Sequence, residues 1–485
     1  MSSSEPSPLE RLVGEPEPQQ ELLTDSEGED DFVKKYGEID FKYIKRPKDA
    51  VWFIRPHALN YFKDGVLYRT KGERSSAKTE LFLDLLYVGI IGTVAGDACE
   101  NASWFSLFKY VLVFLPYWTV WADIKDVTNY YYNEDLSQKL YLLWILVLLT
   151  TSVNAQSEVL ESTRGAVFTI VPYILCRLSL AFMLLFYSFY IPEHRPQQRL
   201  YFVFLILTSC IWVPVIFVGP NTKLVLSLVA IVLEQITFTV VFHPTTKQLL
   251  KLSMSTALNI EHEVERMSAF FTVAIGEFLT KITAESPIGV GFTSLYPRAI
   301  FCLVIAYILF WLYDNAGTSE KAVHPLRHSA FRAITWIYLH IPLIGSVVLA
   351  ADAAGELLGI QEPTIFGWGR KMNEVPIDPE LNVYSLTLFF TGGLCVTLLS
   401  ITGIGYLDDC RDPPGTFLVS KFWRIFWRVP VALLILLFGF LNIGTSAVMG
   451  NTVVLLLVLY VYESVVATPK RCLWLPRFAS ADEYE

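Results

Sequence analysis

Residues 262–281 read HEVERMSAFFTVAIGEFLTK. A dense charge cluster, His262, Glu263, Glu265 and Arg266, gives way to small and apolar residues that run to Glu277 and Lys281. An ionisable side chain within lipid is costly unless it is paired or faces water. A segment apolar enough to enter a bilayer that still carries these charges is where function is expected to sit. Its reading depends on what surrounds it.

The surroundings are apolar. The chain has 485 residues, 53% hydrophobic and 18% charged, against roughly 25% charged in soluble domains. Runs such as 140–153, 224–242 and 453–467 approach the ~20 apolar residues that cross a bilayer. The expected fold class is all-α, a polytopic transmembrane helical bundle. About twelve spans are placed at 80–97, 104–123, 138–154, 166–190, 199–218, 223–242, 264–283, 297–314, 331–350, 384–405, 421–441 and 448–467.

These spans divide the chain. Residues 1–31 are acidic and rich in Pro and Ser, a composition expected of a disordered tail. Residues 32–79 form a juxtamembrane arm of aromatic and basic residues, expected as short strands or an interfacial helix. The first six-span half is 80–242, followed by a linker at 243–263. The second half is 264–467 with a loop insertion at 351–383, and a tail at 468–485 completes the chain. Loop charges fix the orientation, because cytoplasmic loops are richer in Lys and Arg. With twelve spans, Lys125, Arg195, Lys247, Lys251, Lys321, Arg327 and Arg411 share one side with both termini. Asp97, Glu100, Glu158, Glu161, Asp352, Glu356 and Glu362 fall on the other. Both termini are therefore expected in the cytoplasm. The glycosylation sequon Asn101-Ala-Ser103 lies on the outer side in this topology.

The halves share a rhythm. Glu80 opens the first span and Glu265 the seventh, and Glu234 and Glu463 hold corresponding places in the sixth and twelfth. Six spans return the chain to the same side, so the expectation is a 6+6 parallel repeat. Such repeats are common in transporters, with sites near the midplane at their interface. Apolar helices also resemble one another by composition alone, which is the bland reading of the same rhythm.

Within the spans the candidate solute- or ion-binding residues are Glu80, Asp84, Arg177, Glu234, His262, Glu265, Arg266, Glu277 and His340. Glu80 and Asp84 are four apart and share a helix face. Carboxylates at a helix N-terminus also serve the dipole, which accounts for Glu80 without a function. Two carboxylates on one face inside the membrane suit a cation or proton. Glu277 can pair with Lys281, one turn on, or remain to meet a solute. Arg177 is a candidate counter-ion for Glu277 or Glu234. His340 is either a proton relay, since imidazole titrates near neutrality, or a hydrogen-bonded structural group. Asp123 and Asp314 are read as interface anchors beside Trp and Tyr. Ser268, Thr272, Gly276 and Thr280 recur every fourth residue, a small-residue stripe that lets a partner helix approach closely. Gly92 and Gly96 form its expected counterpart.

No Walker A loop, dinucleotide fingerprint, zinc-protease helix or nucleophile elbow is present. The seven cysteines include no CxxC pair, so neither a disulfide framework nor a zinc site is expected. The sequence thus points away from an enzyme, a cofactor, a metal and nucleic acid. The expected partners are the lipid bilayer and a small solute or ion.

Two of these stretches together carry a resemblance. ELFLDLLYV at 80–88 and HEVERMSAFFTVAIGE at 262–277 resemble the signatures of the low temperature requirement A (LtrA) family of membrane proteins. The Trp-Tyr-Asp end of the eighth span and YLHIPLIG around His340 fit as well. The resemblance covers roughly 75–405 and implies the remaining spans. It points to Glu80, Asp84, Arg177, His262, Glu265, Arg266, Glu277 and His340. The departures are the acidic arm, the 351–383 insertion, and Met267 with Ser268 where the family more often has apolar or Gly residues. Arm and insertion imply a eukaryotic, fungal member. The family name implies a fold group and no particular activity. The leading expectation is a transporter or channel-like protein, proton- or cation-linked, and the alternative is a membrane scaffold or sensor.

Overall fold

The computed structural model of the chain describes residues 41–44, 50–70, 76–284, 291–293, 295–315, 318–319, 322–360, 382–441 and 443–473. The tail at 1–31, the part of the insertion at 361–381 and the chain beyond 473 lie outside the described residues.

The first half is built from α1 (Lys78–Glu100), α2 (Trp104–Tyr131), α3 (Leu136–Val153), α4 (Thr163–Tyr190), α5 (Arg195–Val215) and α6 (Pro220–Phe242). The second is built from α7 (Ile260–Thr283), α8 (Tyr296–Asp314), α9 (Ala330–Gly359) and α10 (Val383–Leu407). It is completed by α11 (Lys421–Phe440), broken at Trp427, and α12 (Thr445–Val466). Their ends follow local chemistry. Ser103 accepts from the Ser106 N–H at the start of α2, Asp135 from Gln138 at α3, and Asn259 from His262 at α7, each satisfying an N–H that has no intrahelical partner.

Among the described residues, 11 helices are long and apolar enough to cross a membrane. The expectation of twelve differs by α7 alone, whose charges lower its hydropathy. With 24 residues, α7 is ~36 Å long and long enough to cross a ~30 Å hydrocarbon core. It is packed against α1, α2, α8 and α9, so its charged face meets protein in place of lipid.

Two helix ends lie beyond their expected places. The second span continues past 123 to Tyr131, and the ninth past 350 to Gly359. Hydropathy stops at Lys125 and Asp352 because it assumes water or lipid around each residue. Both are buried within the bundle, so neither is the loop residue expected of it.

Most of the pattern of neighbours recurs, the α8–α9 contact having no counterpart of similar extent in the first half. In the first half α1 touches α2 and α3, α2 touches α4 and α6, and α3–α4, α4–α5 and α5–α6 are in contact. In the second half α7 touches α8 and α9, α8 touches α10 and α12, and α9–α10, α10–α11 and α11–α12 are in contact. At Gly393 a Cβ would lie 2.8 Å from the Ser346 carbonyl oxygen. Only glycine lets α9 and α10 come that close.

The arm takes the first of its two expected forms. Strands β1 (Phe41–Ile44), β2 (Asn60–Lys63) and β3 (Val66–Thr70) join β4 (Met254–Thr256) from the linker, in the order β1-β3-β2-β4. Asp64 and Gly65 both have positive φ, 51° and 85°, the backbone of a two-residue hairpin turn. The sheet is tied to one end of the bundle, called the sheet end below. Leu59 N–H donates to the Tyr130 carbonyl, and Ile54 N–H to Asp135.

His194, in the loop between α4 and α5, pins the sheet from beneath. Its Nε2 lies 3.2 Å from the Asn60 carbonyl and its Nδ1 2.9 Å from the Tyr131 hydroxyl. Neutral imidazole, donating from Nε2 and accepting at Nδ1, satisfies both. Burial pushes its pKa from 6.5 down to about 3, opposed by the Asn60 carbonyl and assisted by the charge of Lys247. The unfolded chain therefore takes up a proton that the folded one refuses. The stabilisation is full above pH 6.5 and is lost as pH falls from there towards 3. At pH 5 the loss is about 2 kcal/mol, from ~1.5 pH units at ~1.36 kcal/mol each. Amide protection factors across 60–70, in which the intrinsic pH dependence of exchange is divided out, are expected to fall about 30-fold between pH 7.5 and pH 5, and His194→Gln to remove most of that dependence. An unchanged pH response in the variant would assign the effect to another group.

Candidate functional site

The polar residues of α1 and α7 meet in register. Glu80 and Asp84 stand four apart on α1, and His262 and Arg266 four apart on α7. Because the helices run parallel, equal spacings give matched rungs. Glu80 Oε1 lies 3.0 Å from His262 Nε2. Its other oxygen accepts from the Ala77 N–H at 2.7 Å, so Glu80 caps α1 and joins the site at once. Arg266 grips Asp84 with both terminal nitrogens at 2.6 Å. All four side chains are buried.

The antiparallel α2 supplies a third rail through Trp121, Lys125 and Asn129, again at four-residue spacing. Trp121 Nε1 donates to Asp84 at 2.9 Å, and its ring stacks on Phe270 with centroids 4.3 Å apart. Lys125 pairs with Glu263 of α7 and, at 3.1 Å, with Asp126. Asn129 Nδ2 donates to the Asn259 carbonyl and to His262 Nδ1, which places the His262 proton on Nε2, facing Glu80. Of the charged sequence candidates here, Glu265 is left out. It faces the surface and accepts from the Ser76 N–H. Glu263, not singled out as a site residue, takes the buried place. The four-residue spacing of Trp121, Lys125 and Asn129 was a readable signal, hidden by ending the second span at 123.

A second group lies on the opposite side of α2. Arg177 of α4 pairs with Asp123, and its Nε lies 3.7 Å from Glu234 of α6. Glu234 also accepts from Tyr173 at 2.7 Å and from Trp212 at 3.0 Å, while Tyr201 donates to Asp123 at 3.1 Å. Of the two counter-ions open to Arg177, the structure places Glu234 beside it and Glu277 elsewhere. Asp123 is no interface anchor but a buried ion-pair partner. Lys125 and Asp126 join the two groups. Two small cavities, about 30 Å³ each, flank this join. One is bordered by Asp123, Asp126, Gln197 and Thr256 towards the sheet end. The other is bordered by Asp123, Asp126, Arg177 and Glu234 within the bundle.

Glu277 sits near the far end. Lys281 Nζ is 3.8 Å from Glu277 but 2.5 Å from Asp352 of α9, so the intrahelical pair is the longer of the two. A Cβ at Gly92 would lie 3.2 Å from Glu277 Oε1, and that missing side chain is what admits the carboxylate against α1. The expected stripe of Ser268, Thr272, Gly276 and Thr280 does not form the α1–α7 contact. Thr272 and Thr280 are exposed, and nothing approaches Gly276 within 4 Å. The helices meet instead through the buried charged rungs, which repel lipid more strongly than small residues attract a neighbour. Gly96 lies 3.8 Å, from an ideal Cβ, to Asp352.

His340 is enclosed, with Nδ1 2.8 Å from the Trp336 carbonyl and Nε2 3.0 Å from the Tyr313 hydroxyl. Both nitrogens are occupied. Glu463 is held by Arg428 through two bonds of 2.6 and 2.7 Å. Its arginine comes from α11, whereas that of Glu234 comes from α4, so the matched carboxylates of the two halves have unmatched partners. Among the described residues, no group of three or more His, Cys, Asp or Glu could hold a metal ion.

Compared with known families, residues 75–462 match the model described as bacterial low temperature requirement A protein (LtrA). No curated protein and no solved structure matches the chain.

Proposed function

We propose that this chain, which belongs to the low temperature requirement A family and is a multi-pass membrane protein, is a transporter or channel-like protein that moves protons or small cations. The observation that carries this reading is that Asp123 and Asp126 border both small cavities. The same two carboxylates thereby face both cavities, between the sheet end and the Arg177–Glu234 pair. Each cavity has room for about one water, since ~10–15 Å³ is enough. Asp126 is the group we assign to proton exchange. Its ion-pair partner, Lys125, also serves Glu263, so Asp126 can gain a proton without stranding a lysine. Glu277, Lys281 and Asp352 form the entry on the far side. The sheet end is cytoplasmic in this proposal, in line with the basic loops. A fungal source belongs to it too, resting on the acidic arm.

A second reading has its own support. Asp84, Glu234 and Glu463 are each fully paired with an arginine or its neighbours. Such pairing suits a scaffold or sensor whose charges only assemble helices. Proton flux separates the two. The purified chain in liposomes enclosing a pH-sensitive dye is expected to relax an imposed proton gradient faster than empty liposomes. Asp126→Asn is expected to slow that relaxation at least tenfold and Glu277→Gln less so. Relaxation no faster than in empty liposomes would favour the scaffold, and faster relaxation unaffected by both substitutions would overturn the roles given to Asp126 and Glu277.

A further inference from the structure

Away from the charged layers, the far half of the bundle holds a cavity of about 420 Å³ between α2, α9, α10 and α11. We propose that it seats one acyl chain of a bilayer phospholipid, clamped between the two halves. The site is independent of the transport reading.

The polarity is graded along the groove. Ser103, Trp104, Tyr384 and Ser385 stand at its far-end mouth, and Leu115, Ile341 and Val396 at its inner end. Polar groups along the wall are spent internally. The Tyr110 hydroxyl donates to the Gly345 carbonyl at 2.7 Å, and Ser346 and Thr397 hydroxyls pair at 2.8 Å. The interior thus offers nothing to a headgroup, while the mouth carries the Trp, Tyr and Ser that suit an interface. Depth agrees with the occupant. Trp104 to Leu115 on α2 spans ~16 Å at ~1.5 Å per residue, about half of a ~30 Å hydrocarbon core, which is one leaflet. Trp104, Val111, Tyr384 and Phe440 on its rim are exposed, in a bundle whose flanks are made of membrane-spanning helices. A void here would forfeit dispersion contacts on every lining atom. A phospholipid tail is the molecule in contact with that opening.

Gly392 provides the test. A Cβ there meets only Leu436, at 3.9 Å, so Gly392→Leu directs its side chain into the groove without displacing a helix. Native mass spectrometry of the full chain, extracted in mild detergent, is expected to show one retained diacylphospholipid. Gly392→Leu should lower that occupancy at least tenfold while keeping a cooperative thermal transition. Val396→Phe blocks the inner end and should act alike, serving if Gly392→Leu fails to fold. Val232→Leu, on the exposed flank of α6, should leave retention unchanged. Added phosphatidylcholine should raise the thermal midpoint of the wild type and not that of the blocked variants. No retained phospholipid, a retained sterol in its place, or retention in both blocked variants equal to that of the wild type would overturn the proposal.

Discussion

Arg266→Met is expected to destabilise the folded protein by about 3–5 kcal/mol, the range for removing one partner of a buried ion pair. Arg266 and Asp84 are both fully buried and joined by two bonds of 2.6 Å. Without the guanidinium, Asp84 keeps only the Trp121 N–H. A loss of that size is a large share of a typical stability of ~5–15 kcal/mol, so reduced yield and a lower thermal midpoint in detergent are the readouts. The paired change Asp84→Leu with Arg266→Met should recover most of the loss, because it removes both desolvated charges together. A double variant no more stable than Arg266→Met would show that the pair does not act as a unit.

Arg177→Met should be worse. Arg177 serves two carboxylates, Asp123 and Glu234, so its removal leaves two buried negative charges. The expected loss is at or above ~5 kcal/mol, the upper end of the same range. Adding Asp123→Asn should restore part of it, and adding Glu234→Gln as well should restore more. Arg177→Lys should not substitute, because a point-like ammonium lacks the planar fork that reaches both partners. If Arg177→Lys matches the wild type in midpoint and yield, geometry matters less here than charge.

Most of the spans were readable because hydropathy is a property of consecutive residues. The exceptions share one cause. Lys125 and Asp352 ended the second and ninth spans on paper because each reads as solvent-facing. In the folded chain their counter-charges, Glu263 and Lys281, come from α7, far away in sequence. The same cause exchanged Glu265 for Glu263. Both lie on the first turns of α7, and only the position of α2 decides which one is enclosed. For the arm, the Asp64-Gly65 turn was written in the chain, but β4 comes from the linker after α6 and no local pattern announces that pairing.

What the sequence determined by itself is the class of the protein. It set the order of the apolar helices, the presence of ionisable groups that lipid would penalise, and their four-residue spacing on α1 and α7. Those features depend on each residue's own transfer energy and on the pitch of one helix. What only the tertiary structure decided is which charge meets which. That Asp84 takes Arg266, Glu80 takes His262 and Arg177 takes Asp123 and Glu234 follows from the rotation and depth of helices against one another. The charge-assisted hydrogen bonds that join these pairs form only at about 2.6–2.9 Å, so a turn of one helix would change every partner without changing a single hydropathy value.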